Sequence, residues 1–376
     1  MHSRHILISG GAGFIGGHVA RLALAAGHEV TILDNLSPQV HGDDASYTAP
    51  EGARFVRGDV TVADDWRRTL PGADTIVHLA ADTGTGQSMY EIDRYYRVNV
   101  QGTATIADLL ANSDHQVRNF VLASSRSVYG EGAYLCKACD PSGRRCYPSP
   151  RSPEQLRSQD WSLSCPDCGA PVEPTATRED DRLCPASIYA ATKRGQEDLV
   201  RIACGSLGIA HSILRFQNVY GEGQSLQNPY TGILSIFSTR LRLGQPIEVF
   251  EDGLETRDFI HVDDVAAAIV HSVERPAVET LNVGSGEPVT VLALAELLGR
   301  VMGSTMAPVI SGRYRVGDIR HNFADTSRFS QVTGLAPRVS LESGIERFCR
   351  WVVDQPIPED LLDQANAELA ARDLLG

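Results

Sequence analysis

Lysine is nearly missing from this chain: it has two in 376 residues, against 32 arginines. A lysine-rich surface is excluded, and each lysine that is kept needs a reason. Net positive charge is missing as well, at −13, which argues against nucleic acid or an anionic membrane surface as a partner. An anionic small ligand would need locally placed arginines instead. No stretch reaches the roughly 18 apolar residues of a membrane span. Met1-His-Ser-Arg-His5 runs straight toward a strand with no secretory apolar segment, so the cytoplasm is expected. There the eight cysteines are expected to be free or metal-bound, not paired as disulfides. With 42% apolar and 22% charged residues, the rest is ordinary globular composition, enough for two domains or one large domain carrying a lobe.

The first half alternates strand and helix. His5-Ile-Leu-Ile-Ser9 is a buried-strand pattern that stops at Gly10-Gly-Ala-Gly13-Phe14-Ile15-Gly16. A helical run to Ala26 follows, then Glu29-Val-Thr-Ile-Leu33 closed by Asp34 and Asn35. This is the order a dinucleotide site requires. Glycines let backbone approach a pyrophosphate at a helix N-terminus, and Asp34, 18 residues past Gly16, can accept ribose hydroxyls. An acid there repels a 2′-phosphate, so NAD is expected over NADP. Asp59 and Val60 end a third strand, with the acid placed to meet the adenine amine. Leu79-Ala80-Ala81 end a fourth with small residues suited to close approach of the cofactor, and Ser124 and Ser125 end a fifth on the same rim. Lys193 follows Tyr189 by four residues, one helical face, where a compact ammonium can lower the pKa of a phenol. The plainer reading of that pair is an exposed helix pair without a role.

These pieces, with His78-Leu-Ala-Ala81, Asn99-Val-Gln-Gly-Thr103, Ser124-Ser-Arg-Ser-Val-Tyr-Gly130, Tyr189-Ala-Ala-Thr-Lys193, Arg215-Phe-Gln-Asn218, Arg257-Asp-Phe-Ile-His-Val-Asp-Asp264, Asn282-Val-Gly-Ser-Gly286 and Arg315-Val-Gly-Asp-Ile-Arg320, resemble the extended short-chain dehydrogenase/reductase superfamily of NAD-dependent nucleotide-sugar epimerases and dehydratases. The resemblance covers nearly the whole chain and implies an α/β doubly wound parallel sheet (Rossmann) with a smaller C-terminal substrate lobe. The expected division is an NAD-binding domain over 1–217, interrupted by an insertion at 133–182, and a mainly substrate-binding lobe over 218–376 that returns to the main domain. By the same resemblance Tyr189 is the catalytic acid/base, Lys193 favours its phenolate and holds the nicotinamide ribose, and Ser125 bonds the sugar hydroxyl under attack. Asn99 belongs to the cofactor site. Ser125, Arg126, Asn218, Arg257 and Arg315 face the nucleotide-sugar, the two last clamping its diphosphate. A homodimer is implied too.

In the resembling hexose 4,6-dehydratases, acids follow Ser125 and expel water; decarboxylases also place a glutamate there. This chain has Arg126 and Ser127, so a 4-epimerase is the expectation, with dehydratase or decarboxylase as the alternative and a non-catalytic NAD-binding regulator as the alternative of another class. The stretches around Ser125 and over 224–234 look like the group that includes dTDP-L-rhamnose 4-epimerases. Between Ser125 and Tyr189 lies the insertion, longer than in many relatives. Its Cys136-Lys-Ala-Cys139 and Cys165-Pro-Asp-Cys168 are two knuckles separated by 25 residues, a structural zinc pattern. Cys146 is a possible substitute ligand, and free thiols in a loop are the plainer reading. The insertion is expected to cap or buttress the sugar pocket. Residues 359–375 read as a surface helix without a chemical role.

Overall fold

The computed structural model describes residues 3–42, 46–226, 228, 230, 232–358, 360 and 362–376. Gln227, Pro229 and Thr231 of the 224–234 motif, and Glu359 of the tail, therefore lie outside the described residues. Seven strands build the central sheet: β1 (His5–Ser9), β2 (Glu29–Asp34), β3 (Ala53–Arg57), β4 (Thr75–His78), β5 (Asn119–Ser125), β6 (Ala210–Phe216) and β7 (Glu279–Val283). All pair in parallel, in the order β7-β6-β5-β4-β1-β2-β3. Both faces are covered, which is why β1 reads as an unbroken apolar run with Ile6, Leu7 and Ile8 fully buried. On one face the helices Phe14–Ala25 and Val262–Glu274 bury Val19, Ala23, Val265 and Ile269. On the other, Trp66, Ile106, Leu110 and Val200 close the core. The winding reverses between β1 and β4, and a ligand crevice opens at that point above the strand C-termini.

Beyond β6 a second core forms around Leu234, Phe237, Phe259, Leu298 and Phe348. The helix Val262–Glu274 and β7 nevertheless belong to the main sheet, so residues after 218 pass to and fro between lobe and sheet. The insertion carries a three-stranded antiparallel sheet, Tyr134–Cys136 flanked by Arg144–Cys146 and Glu173–Pro174, and its own small core of Tyr134, Cys136, Cys146, Leu163 and Cys165. The surface helix read from 359–375 is instead docked. Helix Leu362–Ala370 buries Leu362, Ala365, Asn366 and Leu369, and residues 374–376 pair with 314–316 through Val316 N–H to Leu374 O (3.0 Å) and Tyr314 N–H to Gly376 O (2.9 Å). Its apolar stripe is short, but the lobe offers it a complementary surface. No helix among the described residues is long and apolar enough to cross a membrane.

Candidate active site

The glycine loop is shaped by contact. Gly10 has φ +71°, and a Cβ on it would lie 2.6 Å from Ala80 N; one on Gly16 would lie 2.4 Å from Gly10 O. Any side chain at either position would push the loop off β4 and off itself. The helix that begins at Phe14 has no acid in its first turn, so its free N–H groups and positive end face the crevice. Asp34 is buried at the end of β2; its carboxylate accepts from Ala12 N (3.0 Å) and Leu36 N (2.9 Å). Asn35 donates to Asp59 (3.0 Å), whose other oxygen accepts from Thr61 N and Oγ1 (2.8 and 2.7 Å). Burial pushes the Asp59 carboxyl up, but the Thr61 and Asn35 hydrogen bonds outweigh it and hold it below its ordinary value.

The helix Ile188–Leu207 is capped by Ser187, whose Oγ accepts from Ala190 N (3.2 Å), and anchored by Tyr189 N–H to Ser88 Oγ (3.0 Å). Lys193 lies below Tyr189 on the same face, its Nζ 6.0 Å from the phenol ring centroid and donating to Ala123 O at the end of β5 (2.9 Å). Burial drives the Lys193 ammonium down to about 7, against the opposing pull of Glu197. Burial raises the Tyr189 phenol, with the Ser125 hydroxyl and the Arg126 guanidinium opposing. Among the protein's own groups, burial of the phenol outweighs the lowering by Ser125 and Arg126. Ser125 Oγ accepts from Ser127 N (3.2 Å) and lies 3.0 Å from Ser127 Oγ. Asn99 is fully buried; it brackets Asp82 through N (2.8 Å) and O (3.0 Å) and donates to Thr192 (3.0 Å). It ties the segment after β4 to the Tyr189 helix.

One cleft of about 720 Å³ joins the two halves of the site. Gly10, Gly13, Phe14, Ile15, Gly16, Asp34, Asn35, Val60, Leu79, Ala80 and Ala81 line one end; Ser125, Arg126, Tyr189, Asn218, Arg257 and Arg315 line the other. Asp59, Asn99 and Lys193 stand behind this lining. Arg126 donates to Asn218 Oδ1 (3.0 Å), and burial together with Arg257 lowers its guanidinium to about 10. Arg257 is already engaged: Nη1 donates to Thr256 O and Arg320 O (2.9 and 3.1 Å), Nη2 to Asp318 Oδ1 and Ile319 O (2.9 and 2.7 Å). Its Nη hydrogens are thereby committed, so Arg315 is the more available of the two. Asp318, Glu255, Phe250 and Tyr230 also line the cleft and were not singled out from sequence. Asp318 stood inside the quoted Arg315–Arg320 motif and Tyr230 inside the 224–234 stretch; Glu255 and Phe250 carry no local signal, because the fold alone brings them in.

The sequence pattern of the NAD dependent epimerase/dehydratase family matches residues 6–153 and 163–284. The chain belongs to that family. A dTDP-L-rhamnose 4-epimerase from Burkholderia thailandensis is 39% identical over 358 residues, covering 94% of this chain and 96% of the relative. Among solved structures, the UDP-glucose 4-epimerase of Thermotoga maritima superposes with a TM-score of 0.75 at 26% identity, covering 93% of this chain and 98% of that one. The dTDP-glucose 4,6-dehydratase of Streptomyces venezuelae, solved with NAD, gives 0.73 at 26% identity, with 93% and 97% covered. This chain is an enzyme of the NAD-dependent epimerase/dehydratase type, and NAD is the dinucleotide its glycine loop and Asp34 suit.

Within this family member the insertion brings four thiols together. The Sγ atoms of Cys136, Cys139, Cys165 and Cys168 all lie within 4.8 Å of one another, with Cys136–Cys168 at 3.5 Å and Cys139–Cys165 at 3.7 Å. A tetrahedral zinc with Zn–S bonds of about 2.3 Å requires sulfur–sulfur edges of about 3.8 Å, so the donor set fits that ion. Cys146 sits on the neighbouring strand opposite Tyr134 and is not one of the four. Cys184, Cys204 and Cys349 stand apart from them. No residue of 133–182 lines the cleft. The insertion reaches the substrate side from behind, where buried Arg151 donates to Glu251 (2.7 Å) and to Asp318 O (3.1 Å). A second acidic group, Glu251, Asp252 and Glu255, is bridged by Arg320 and needs no cation.

Proposed function

We propose that this chain is a nucleotide-sugar 4-epimerase, which oxidises the sugar at C4 and reduces the ketone from the opposite face. The observation that carries this reading is the wall shared by Ser125 and Tyr189, with Arg126 and Ser127 where water-expelling acids would stand beside Ser125. Bound NAD would accept the C4 hydride and give it back within one turnover. Ser125 holds the C4 hydroxyl oxygen toward Tyr189. In its ionised form, which Lys193, Arg126 and the positive charge of bound NAD would favour, the Tyr189 oxygen takes the hydroxyl proton as the C4–H bond breaks and returns it when the ketone is reduced, so each turnover leaves the protein unchanged. Lys193, fixed on Ala123 O, supplies a short-range positive charge beneath that exchange when it is protonated. Arg315 and Asn218 supply donors for the diphosphate, which explains how so acidic a chain can hold an anionic substrate. The 39% identical relative supports a dTDP-6-deoxyhexose such as dTDP-L-rhamnose as the substrate.

The same reading includes a structural zinc on Cys136, Cys139, Cys165 and Cys168, held in the reducing cytoplasm where thiolates stay available. It also includes a homodimer. Incubation with a panel of dTDP-, UDP- and GDP-sugars, with products resolved by NMR, tests the proposal. Interconversion of C4 epimers is expected for at least one sugar. Accumulation of a 4-keto-6-deoxy product would replace the epimerase by a dehydratase. Absence of any product, and of reduced nicotinamide absorbance, would favour the regulator.

A further inference from the structure

The docked C-terminal helix touches the substrate side at three places. Leu362 lines the cleft itself. Glu368 accepts from the hydroxyls of Tyr90 (2.9 Å) and Tyr230 (2.8 Å), and Tyr230 is a cleft residue. Arg372 covers the outer face of Tyr90, 4.3 Å from the ring centroid. The third contact bears on the diphosphate arginine. Asn366, 3% exposed, accepts from Arg315 Nη2 through Oδ1 (3.4 Å), and that bond fixes which end of its amide carries the donors. Arg315 in turn lies over Phe250, 4.8 Å from the ring centroid, and its backbone is bridged to Leu375.

Two buried donors are left over. Arg315 Nε and Asn366 Nδ2 have no hydrogen-bond partner among the described residues. An unmet buried donor costs about 1–3 kcal/mol, and Arg315 lines the cleft with Asn366 behind it, so the Arg315 side chain calls for an acceptor that arrives from the cleft. Both are N–H groups, one on a cation, which selects an anion with several acceptor oxygens. We infer that Asn366 is a substrate-positioning residue: it holds the Arg315 guanidinium in the plane that meets the diphosphate, and the C-terminal helix is thereby part of the substrate site. This inference rests on the nucleotide-sugar reading of the cleft.

Calorimetric titration of the full, NAD-loaded chain with UDP and with dTDP tests it. Asn366→Ala is expected to raise the Kd of the tighter-binding diphosphate about tenfold, the loss of one hydrogen bond to a charged group. Asn366→Asp, nearly isosteric, is expected to raise it further, since its carboxylate would neutralise Arg315 and repel phosphate. With substrate, the loss should fall on KM more than on kcat. An unchanged Kd in both variants while the wild type binds overturns the inference, as does a fall in kcat alone. If the wild type binds neither diphosphate, it is the nucleotide-sugar reading that fails.

Discussion

The cysteine insertion and the C-terminal segment both stand outside the alternating strand–helix order, and both reach the substrate side, yet they are ordered by different physics. The insertion carries its own sheet, its own small core and four converging thiols. It reaches the back of the site through Arg151, which meets Glu251 and the Asp318 carbonyl in a buried layer behind the cleft, and its C-terminal end is tied to Arg215 and Asn282 through Glu179 and Thr177. The tail has no core of its own. Its order comes from docking on the lobe and on the strand-like run 314–316, beside Arg315. A segment with private order can be perturbed at its cysteine end with less effect on the cleft, passed on through buried contacts such as Arg151. A segment ordered by the cleft wall should report every perturbation as altered ligand binding.

The largest expected effect touches neither segment and calibrates both. Tyr189→Phe should lower kcat by about 10² to 10⁴-fold while NAD stays bound, the usual weight of one positioned acid/base; near-normal turnover removes the role assigned to Tyr189. Next comes Arg151→Met, which leaves Glu131 and Glu251 short of a buried partner. Burial already lifts the Glu131 carboxyl to about 7 against Arg151, so its loss should be felt in stability. A cost of about 3–5 kcal/mol in urea unfolding is expected, with a smaller rise in KM through Asp318. A stability loss within the error of measurement would mean that Arg151 is not the contact that fixes the insertion to the substrate side.

Metal removal sharpens the contrast further. Chelation should release zinc, measured by a colorimetric dye, and open 133–182 to protease, while diphosphate Kd moves less than in Asn366→Ala. A larger shift in Kd on chelation than in Asn366→Ala would reverse the two segments' roles. The last effect is a pH dependence. Lys193 titrates near 7 in the folded chain against an ordinary 10.5. Between those values the unfolded chain holds a proton that the folded chain has released, so this group's contribution to stability improves as pH rises from about 7 toward 10. The urea midpoint of the wild type should therefore gain on that of Lys193→Met over this range; a constant difference contradicts the buried, destabilised ammonium.

Much of this was legible in the chain because it is local. Gly10 through Gly16, Asp34 and the apolar β1 form one uninterrupted βαβ pattern, and the cysteine knuckles carry their spacing with them. What was not legible depends on long-range placement. Arg257 reads as a phosphate clamp, but only the fold reveals that Asp318 and three carbonyls already take its donors. Residues 359–375 read as a surface helix because their apolar stripe is weak; docking on a lobe assembled from distant segments supplies what the stripe lacks. Asn366 has no sequence signal at all, since its meaning comes from Arg315, 51 residues away. The phenol–ammonium pair was visible as a spacing, but the sign of the Tyr189 shift is set by burial, which spacing does not encode.

The central claim is that one hydride leaves C4 and returns to C4. A nucleotide sugar deuterated at C4, chosen from the panel as a substrate, is converted in ordinary water and the product is read by NMR. The account predicts the C4 epimer with its deuterium retained in full at C4. Deuterium found on another carbon of the sugar, or lost to water, would contradict it.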